Sequence, residues 1–183
     1  MAQVNKPISL LSLAAGAGVL AAAAFCANLL FSPASVTQLD AQTIRLISSE
    51  GTFSTVQGDG SRAVHVFLSP DCSFCKKIEP ELDRLQNVTV YRHLLPGHAK
   101  GGRLSAKDVW FSKNQIAAWK AVVGGLDLTS EKCDGSVLER NLALAKRMGL
   151  TMTPSIVYED GHISAGMLSA GEIAERVAKW KKG

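Results

Sequence analysis

The apolar positions of this chain form one unbroken block, after which they settle into two shorter periods. Residues 7–39 carry no charge, and their apolar centre runs over 8–31. A stretch that is apolar on every side is not a surface helix of a soluble domain, which would be apolar on one face only. As a helix it would extend roughly 36 Å against a hydrocarbon core of about 30 Å. Beyond the block, residues 38–48 predict a short helix with Leu39, Ile44 and Ile47 on one face, ended by Gly51. Residues 52–56 alternate as a strand does, 57–61 are a glycine-rich turn, and 63–68 read as a buried strand running into Ser69, Pro70 and Asp71. A helix follows, with Ile78, Leu82 and Leu85 one face apart and Pro80 expected to kink it. Residues 88–95 predict the next strand and 97–102 a loop. Residues 105–123 and 136–148 predict two helices, the second capped by Gly149. A strand over 155–158, an Asp160-Gly161 hairpin turn and a return over 163–165 come next. The last helix opens on Ser169 with Glu172 three residues on, a capping box, and turns Ile173, Val177 and Trp180 inward. That order predicts an α/β sheet with helices on both faces.

Charge orients the apolar block. Lys6 is the only charged side chain before it, so the N-terminus is expected in the cytoplasm and the rest outside. Residues 1–34 are therefore expected to be a membrane anchor or a signal peptide, and 35–183 one exported domain. The length of the block favours an uncleaved anchor, while Ser32-Pro33-Ala34 offers a cleavage site. Phe25 stands where a lipoprotein would need a small residue before Cys26, so Cys26 reads as a small apolar residue of the helix. The net charge of +4 is spread along the 183 residues, with no basic stripe interleaved by aromatics, which excludes nucleic acid as a partner.

Four cysteines are too few for a disulfide-stapled scaffold. Cys72 and Cys75 form one C-x-x-C at the point where a buried strand gives way to a helix. A thiolate at a helix N-terminus is stabilised by free N–H groups and the helix dipole. Cys72 holds that end and is expected to be the nucleophile, with Cys75 one turn inside as the resolving thiol. Ser73 and Phe74 between them supply no charge, which predicts a weaker oxidant than the strongest of such pairs. Lys76 and Lys77 add positive charge nearby. A zinc site would need two more ligands, and neither Cys133 nor His65, His93, His98 or His162 shows ligand spacing. A static disulfide closing so short a loop would add little stability. No metal and no organic cofactor is expected.

The run from Val66 through Cys72-Ser73-Phe74-Cys75 to Lys77, Pro80 five residues after the second cysteine, the segment Gly149 to Thr153-Pro154, and the ending from Asp160 through Gly166 together resemble the thioredoxin superfamily. In detail they are similar to the catalytic domain of the DsbC/DsbG-type periplasmic disulfide isomerases. The resemblance covers roughly residues 38–180. It implies a thioredoxin-like fold with a helical insert, a cis Thr153–Pro154 bond, and substrate binding by Thr153 and Pro154 next to the nucleophile. It implies disulfide isomerisation or reduction on exported cysteine-containing proteins in the periplasm, with a membrane thiol reductase as electron donor. Two features depart from the family. Residues 32–62 leave no room for the isomerases' dimerisation domain, which predicts a monomer and favours a reductase or oxidase dedicated to one client of a secretion or conjugation system. Phe111 stands where a partner for Cys133 is expected, so Cys133 reads as an unpaired thiol. A non-catalytic assembly module of the same fold is the remaining alternative, against which the intact cysteine pair argues.

Overall fold

The structure is a computed structural model that describes residues 37–128 and 134–179. The predicted anchor or signal segment, Cys26, Cys133 and Trp180 lie outside those residues. Among the described residues no helix is long and apolar enough to cross a membrane.

Among the described residues six strands build one sheet: β1 (Thr37–Gln38), β2 (Phe53–Gln57), β3 (Arg62–Leu68), β4 (Val88–Leu94), β5 (Ser155–Tyr158) and β6 (His162–Ala165). Their spatial order is β1-β6-β5-β3-β4-β2. Only β3 and β4 run parallel, joined by the crossover helix α2 (Ser73–Asp83), while every other pair is antiparallel. The remaining helices are α1 (Ala41–Ile44), α3 (Lys100–Phe111), α4 (Gln115–Val123), α5 (Ser136–Arg147) and α6 (Ala170–Lys179).

The period of two in the strands divides the core. Val64, Val66 and Leu68 of β3, with Val88 and Val90 of β4 and Ile156 of β5, pack with Ile78, Leu82, Trp119 and Ile173 from α2, α4 and α6. The intervening Phe67 and Val157 join Ile163, Ala145 and Met148 in a second cluster, with Ile44 of α1 against it. A one-residue slip of β3 would exchange these two sets, so burial on both faces fixes its register. Each fully buried Leu or Ile here contributes roughly 1.5–3 kcal/mol of transfer free energy.

Three predicted elements differ. Residues 38–48 are not one helix: Thr37–Gln38 pairs with β6, and only Ala41–Ile44 is helical. Asp40 explains the boundary, because its carboxylate accepts the Gln42 and Thr43 N–H groups at 2.9 Å and starts the helix there. Residues 105–123 are two helices, broken at 112–114, where Asn114 accepts the Ala117 N–H at 3.0 Å as a fresh N-cap. The predicted loop 97–102 ends early, since α3 starts at Lys100. Local signals elsewhere agree with the structure. Gly149 has φ +69 after α5, Gly161 has φ +83 in the hairpin, and the Ser169–Glu172 box closes with Ser169 N–H to Glu172 Oε2 at 2.8 Å. Pro80 sits inside α2, on its exposed side.

Candidate active site

The central strand β3 delivers the thiol pair. Its end is buried through Ser69 and Pro70, and the Cys72 N–H closes a turn onto the Ser69 carbonyl at 3.2 Å. Cys72 is the N-cap residue of α2, with extended backbone. Its Sγ accepts the Cys75 N–H at 3.2 Å, the place a serine or aspartate oxygen takes in other caps. Cys72 is partly exposed, and Cys75 is fully buried. Burial pushes the Cys75 thiol up, and the contact with Cys72 adds to the effect. The two cysteines thus differ: one is partly exposed at a helix N-terminus, and the other is buried with its thiol held protonated.

Antiparallel pairing of β5 with β3 sets Ser155 opposite Phe67, so the residues that lead into β5 arrive beside the end of β3. Those residues are Thr153 and Pro154, joined by a cis peptide bond. The Cys72 thiol donates to the Thr153 carbonyl at 3.2 Å. The Pro154 carbonyl accepts the Gly166 N–H at 2.8 Å, which ties the loop to the end of β6. Ser73 and Phe74 are exposed, and the Lys77 ammonium lies 5.5 Å from the Phe74 ring centroid. Sequence reasoning did not single out Met152 and Met167. They are 54% and 40% exposed and are chain neighbours of Thr153 and Gly166. Their signal was adjacency to the Thr153-Pro154 loop and to the glycine that follows β6.

Two buried polar groupings were also unforeseen. One turn past Cys75, Glu79 accepts Arg92 Nε at 3.1 Å, Arg92 Nη2 at 3.0 Å and Trp119 Nε1 at 2.7 Å. On the other face His65 Nδ1 and His93 Nε2 stand 2.9 Å apart. Burial drives His65 down to about 4; it drives His93 down to about 3, with His65 adding to the effect. Both imidazoles are therefore neutral in the folded chain near pH 7. Their folded values lie below the ordinary 6.5, so this contribution is complete above that pH and is lost as pH falls toward 4. Urea unfolding is expected to show a loss on the order of several kcal/mol between about pH 6.5 and 4. The double variant His65→Phe, His93→Phe should flatten that slope. Among the described residues, no group of three or more His, Cys, Asp or Glu side chains converges as a metal site would require.

The thioredoxin-like domain family matches residues 50–181, which takes in the thiol pair, the cis-proline loop and every strand but β1. The chain belongs to the thioredoxin-like family. Among relatives of that fold it is 32% identical over 67% of its length to the probable thiol:disulfide interchange protein DsbC of Bordetella parapertussis. The match spans 44% of that relative, so the chain corresponds to less than half of it. A disulfide interchange protein from Neisseria gonorrhoeae superposes with a TM-score of 0.65 and 27% identity, over 73% of this chain and 97% of that one. The catalytic domain of Proteus mirabilis ScsC shares the fold, with a TM-score of 0.62 and 16% identity over 75% and 96% of the two chains.

Proposed function

We propose that this thioredoxin-like chain is a thiol–disulfide oxidoreductase that isomerises or reduces disulfides of exported proteins. The observation that carries the reading is the asymmetry of the pair. Cys72 is partly exposed, caps α2 and faces the Thr153 carbonyl, while Cys75 is buried with its thiol pushed up. The Cys72 thiolate attacks a client disulfide, one client sulfur leaves as a thiolate, and Cys72 is joined to the other. From that mixed disulfide a second client thiolate can attack the joined sulfur and release Cys72, a rearrangement with no net electron transfer. Alternatively Cys75 loses its proton and attacks Cys72, which frees the client as a dithiol and leaves Cys72 and Cys75 oxidised. Two electrons from a membrane thiol reductase would then restore the pair.

Thr153 and Pro154 serve in this reading as the substrate ledge, presenting backbone beside the sulfur for an extended client chain. Ser73 and Phe74 tune the pair by bringing no charge to it. The DsbC-named relatives and the charge-free residues 7–39 support work in the periplasm, tethered by or released from residues 1–34. Two assays test the proposal together. The purified domain should reduce insulin with dithiothreitol as donor, and thiol trapping in cells should find Cys72 and Cys75 mostly reduced. A pair that is mostly oxidised in cells would make the protein an oxidase. Absence of insulin reduction would leave the assembly-module reading.

A further inference from the structure

A serine opens a strand that is otherwise apolar in its core. All four residues of β5 are buried, and Ser155 is 1% exposed. A hydroxyl taken out of water costs stability unless it is hydrogen-bonded. Ser155 Oγ donates to the Met152 carbonyl at 2.7 Å, three residues back in the chain. That bond closes a turn over Thr153 and Pro154. Three successive carbonyls are then each occupied. The Met152 carbonyl accepts the Ser155 hydroxyl, the Thr153 carbonyl accepts the Cys72 thiol at 3.2 Å, and the Pro154 carbonyl accepts the Gly166 N–H at 2.8 Å. The outer two are pinned by groups of the fold, and the middle one meets the nucleophile. The Met152 carbonyl and the Thr153 N–H belong to one planar trans peptide, in which they point in opposite directions. Holding the carbonyl on Ser155 therefore turns the Thr153 N–H the other way. Among the described residues that N–H has no hydrogen-bond partner, on a residue that is half-buried.

We propose that Ser155 is a positioning residue for client binding: its bond to the Met152 carbonyl holds the Thr153 N–H and carbonyl in place for the backbone of an extended client chain. The inference rests on the reading of Thr153 and Pro154 as the substrate ledge, and deepens it by naming the side chain that keeps the ledge in shape. Once Cys72 is joined to a client sulfur it has no proton to donate. The Thr153 carbonyl is then released, and the residue offers a client one donor and one acceptor together. Without the Ser155 hydroxyl the Met152–Thr153 peptide is free to turn. Only the fraction of molecules in the competent orientation then seats a client, and the apparent affinity falls by that fraction.

Single-turnover exchange by the pre-reduced full-length protein separates this role from one in stability. Two oxidants are compared: a short peptide closed by one internal disulfide, and 2-hydroxyethyl disulfide, which has no peptide backbone to seat. With either, the protein dithiol becomes a disulfide and the oxidant becomes two thiols, so two electrons and two protons pass together. Ser155→Ala removes a single oxygen. Its second-order rate constant with the peptide is expected to fall about fivefold, the worth of one net hydrogen bond, and with 2-hydroxyethyl disulfide to change by less than about twofold. Ser155→Thr and Ser155→Val form a second pair of nearly equal volume, of which only the first keeps a hydroxyl. The cost of the added bulk is common to both. Ser155→Thr should therefore exceed Ser155→Val by a similar factor with the peptide and match it with the small disulfide. This pair carries the test should Ser155→Ala not fold. Equal rates with the peptide for both members of a pair overturn the proposal. So does an equal loss with both oxidants, which would make Ser155 a structural residue only. A parent that reduces only the small disulfide removes the ledge and the proposal with it. A parent that reduces neither oxidant refutes the thiol-exchange reading itself, which is a different result.

Discussion

Cys72→Ala is expected to bring insulin reduction down to the uncatalysed rate, while Cys75→Ala is expected to arrest the protein on its clients. The two cysteines are three residues apart, yet their surroundings assign them different steps. Cys72 is partly exposed at the start of α2, accepts the Cys75 N–H and lies 3.2 Å from the Thr153 carbonyl, so an incoming disulfide meets this sulfur first. Cys75 has no exposed surface, and burial holds it as a thiol. It cannot begin an attack on a client, but it lies where it can displace one already joined to Cys72. Removing Cys72 removes the only thiolate of the pair that a protein disulfide can reach. Removing Cys75 leaves the first step intact and slows release, so mixed disulfides should accumulate and appear on non-reducing gels as bands cleared by dithiothreitol. If Cys72→Ala traps clients and Cys75→Ala is inert, the assigned roles are reversed.

Much of this site is local in sequence and was legible for that reason. An apolar run ending at Leu68, a turn, and then apolar residues at helical spacing place Cys72 at a strand-to-helix junction without reference to the rest of the chain. The same holds for Gly149, for the Asp160–Gly161 turn and for the Ser169–Glu172 box, each decided within about four residues. What escaped is what depends on register or on distant packing. His65 and His93 become neighbours only because β3 and β4 run parallel with Phe67 opposite His93, a pairing that nothing in the chain between them announces. Arg92 interrupts an apolar strand, and its reason is Glu79 on the helix above. The start of α3 carries no cap signal of its own because Asp71 supplies the cap from another element. Residues 112–114 break an apolar pattern that continues on either side. Asn114 decides the break, by capping a new helix in place of extending the old one.

Glu79→Ala is expected to cost about 3–5 kcal/mol of stability, read as a shift in the urea unfolding curve. Glu79 and Arg92 are 4% and 0% exposed, and Glu79 takes three of the pair's hydrogen bonds, two from the guanidinium and one from the Trp119 indole. The fourth runs from Arg92 Nη1 to the Thr55 hydroxyl at 3.0 Å. The cluster thus links α2, β4, α4 and β2. Truncating Glu79 strands a guanidinium, which cannot shed its proton, in the core with one remaining partner and leaves the indole N–H unsatisfied. A loss of that size is a large share of the roughly 5–15 kcal/mol that holds a typical domain together. Arg92→Met is the informative contrast. It leaves a buried carboxylate that can take up a proton, so its cost should shrink as pH is lowered from 7 toward 5, after subtraction of the parent's own pH dependence. The double variant Glu79→Met, Arg92→Met removes both charges and fills the space with apolar atoms. It should therefore recover most of the stability lost in Glu79→Ala, since replacing a buried ion pair with well-packed apolar groups is often neutral. A Glu79→Ala loss below about 1 kcal/mol would mean that water reaches the pair and that it is no more than a surface salt bridge in energy.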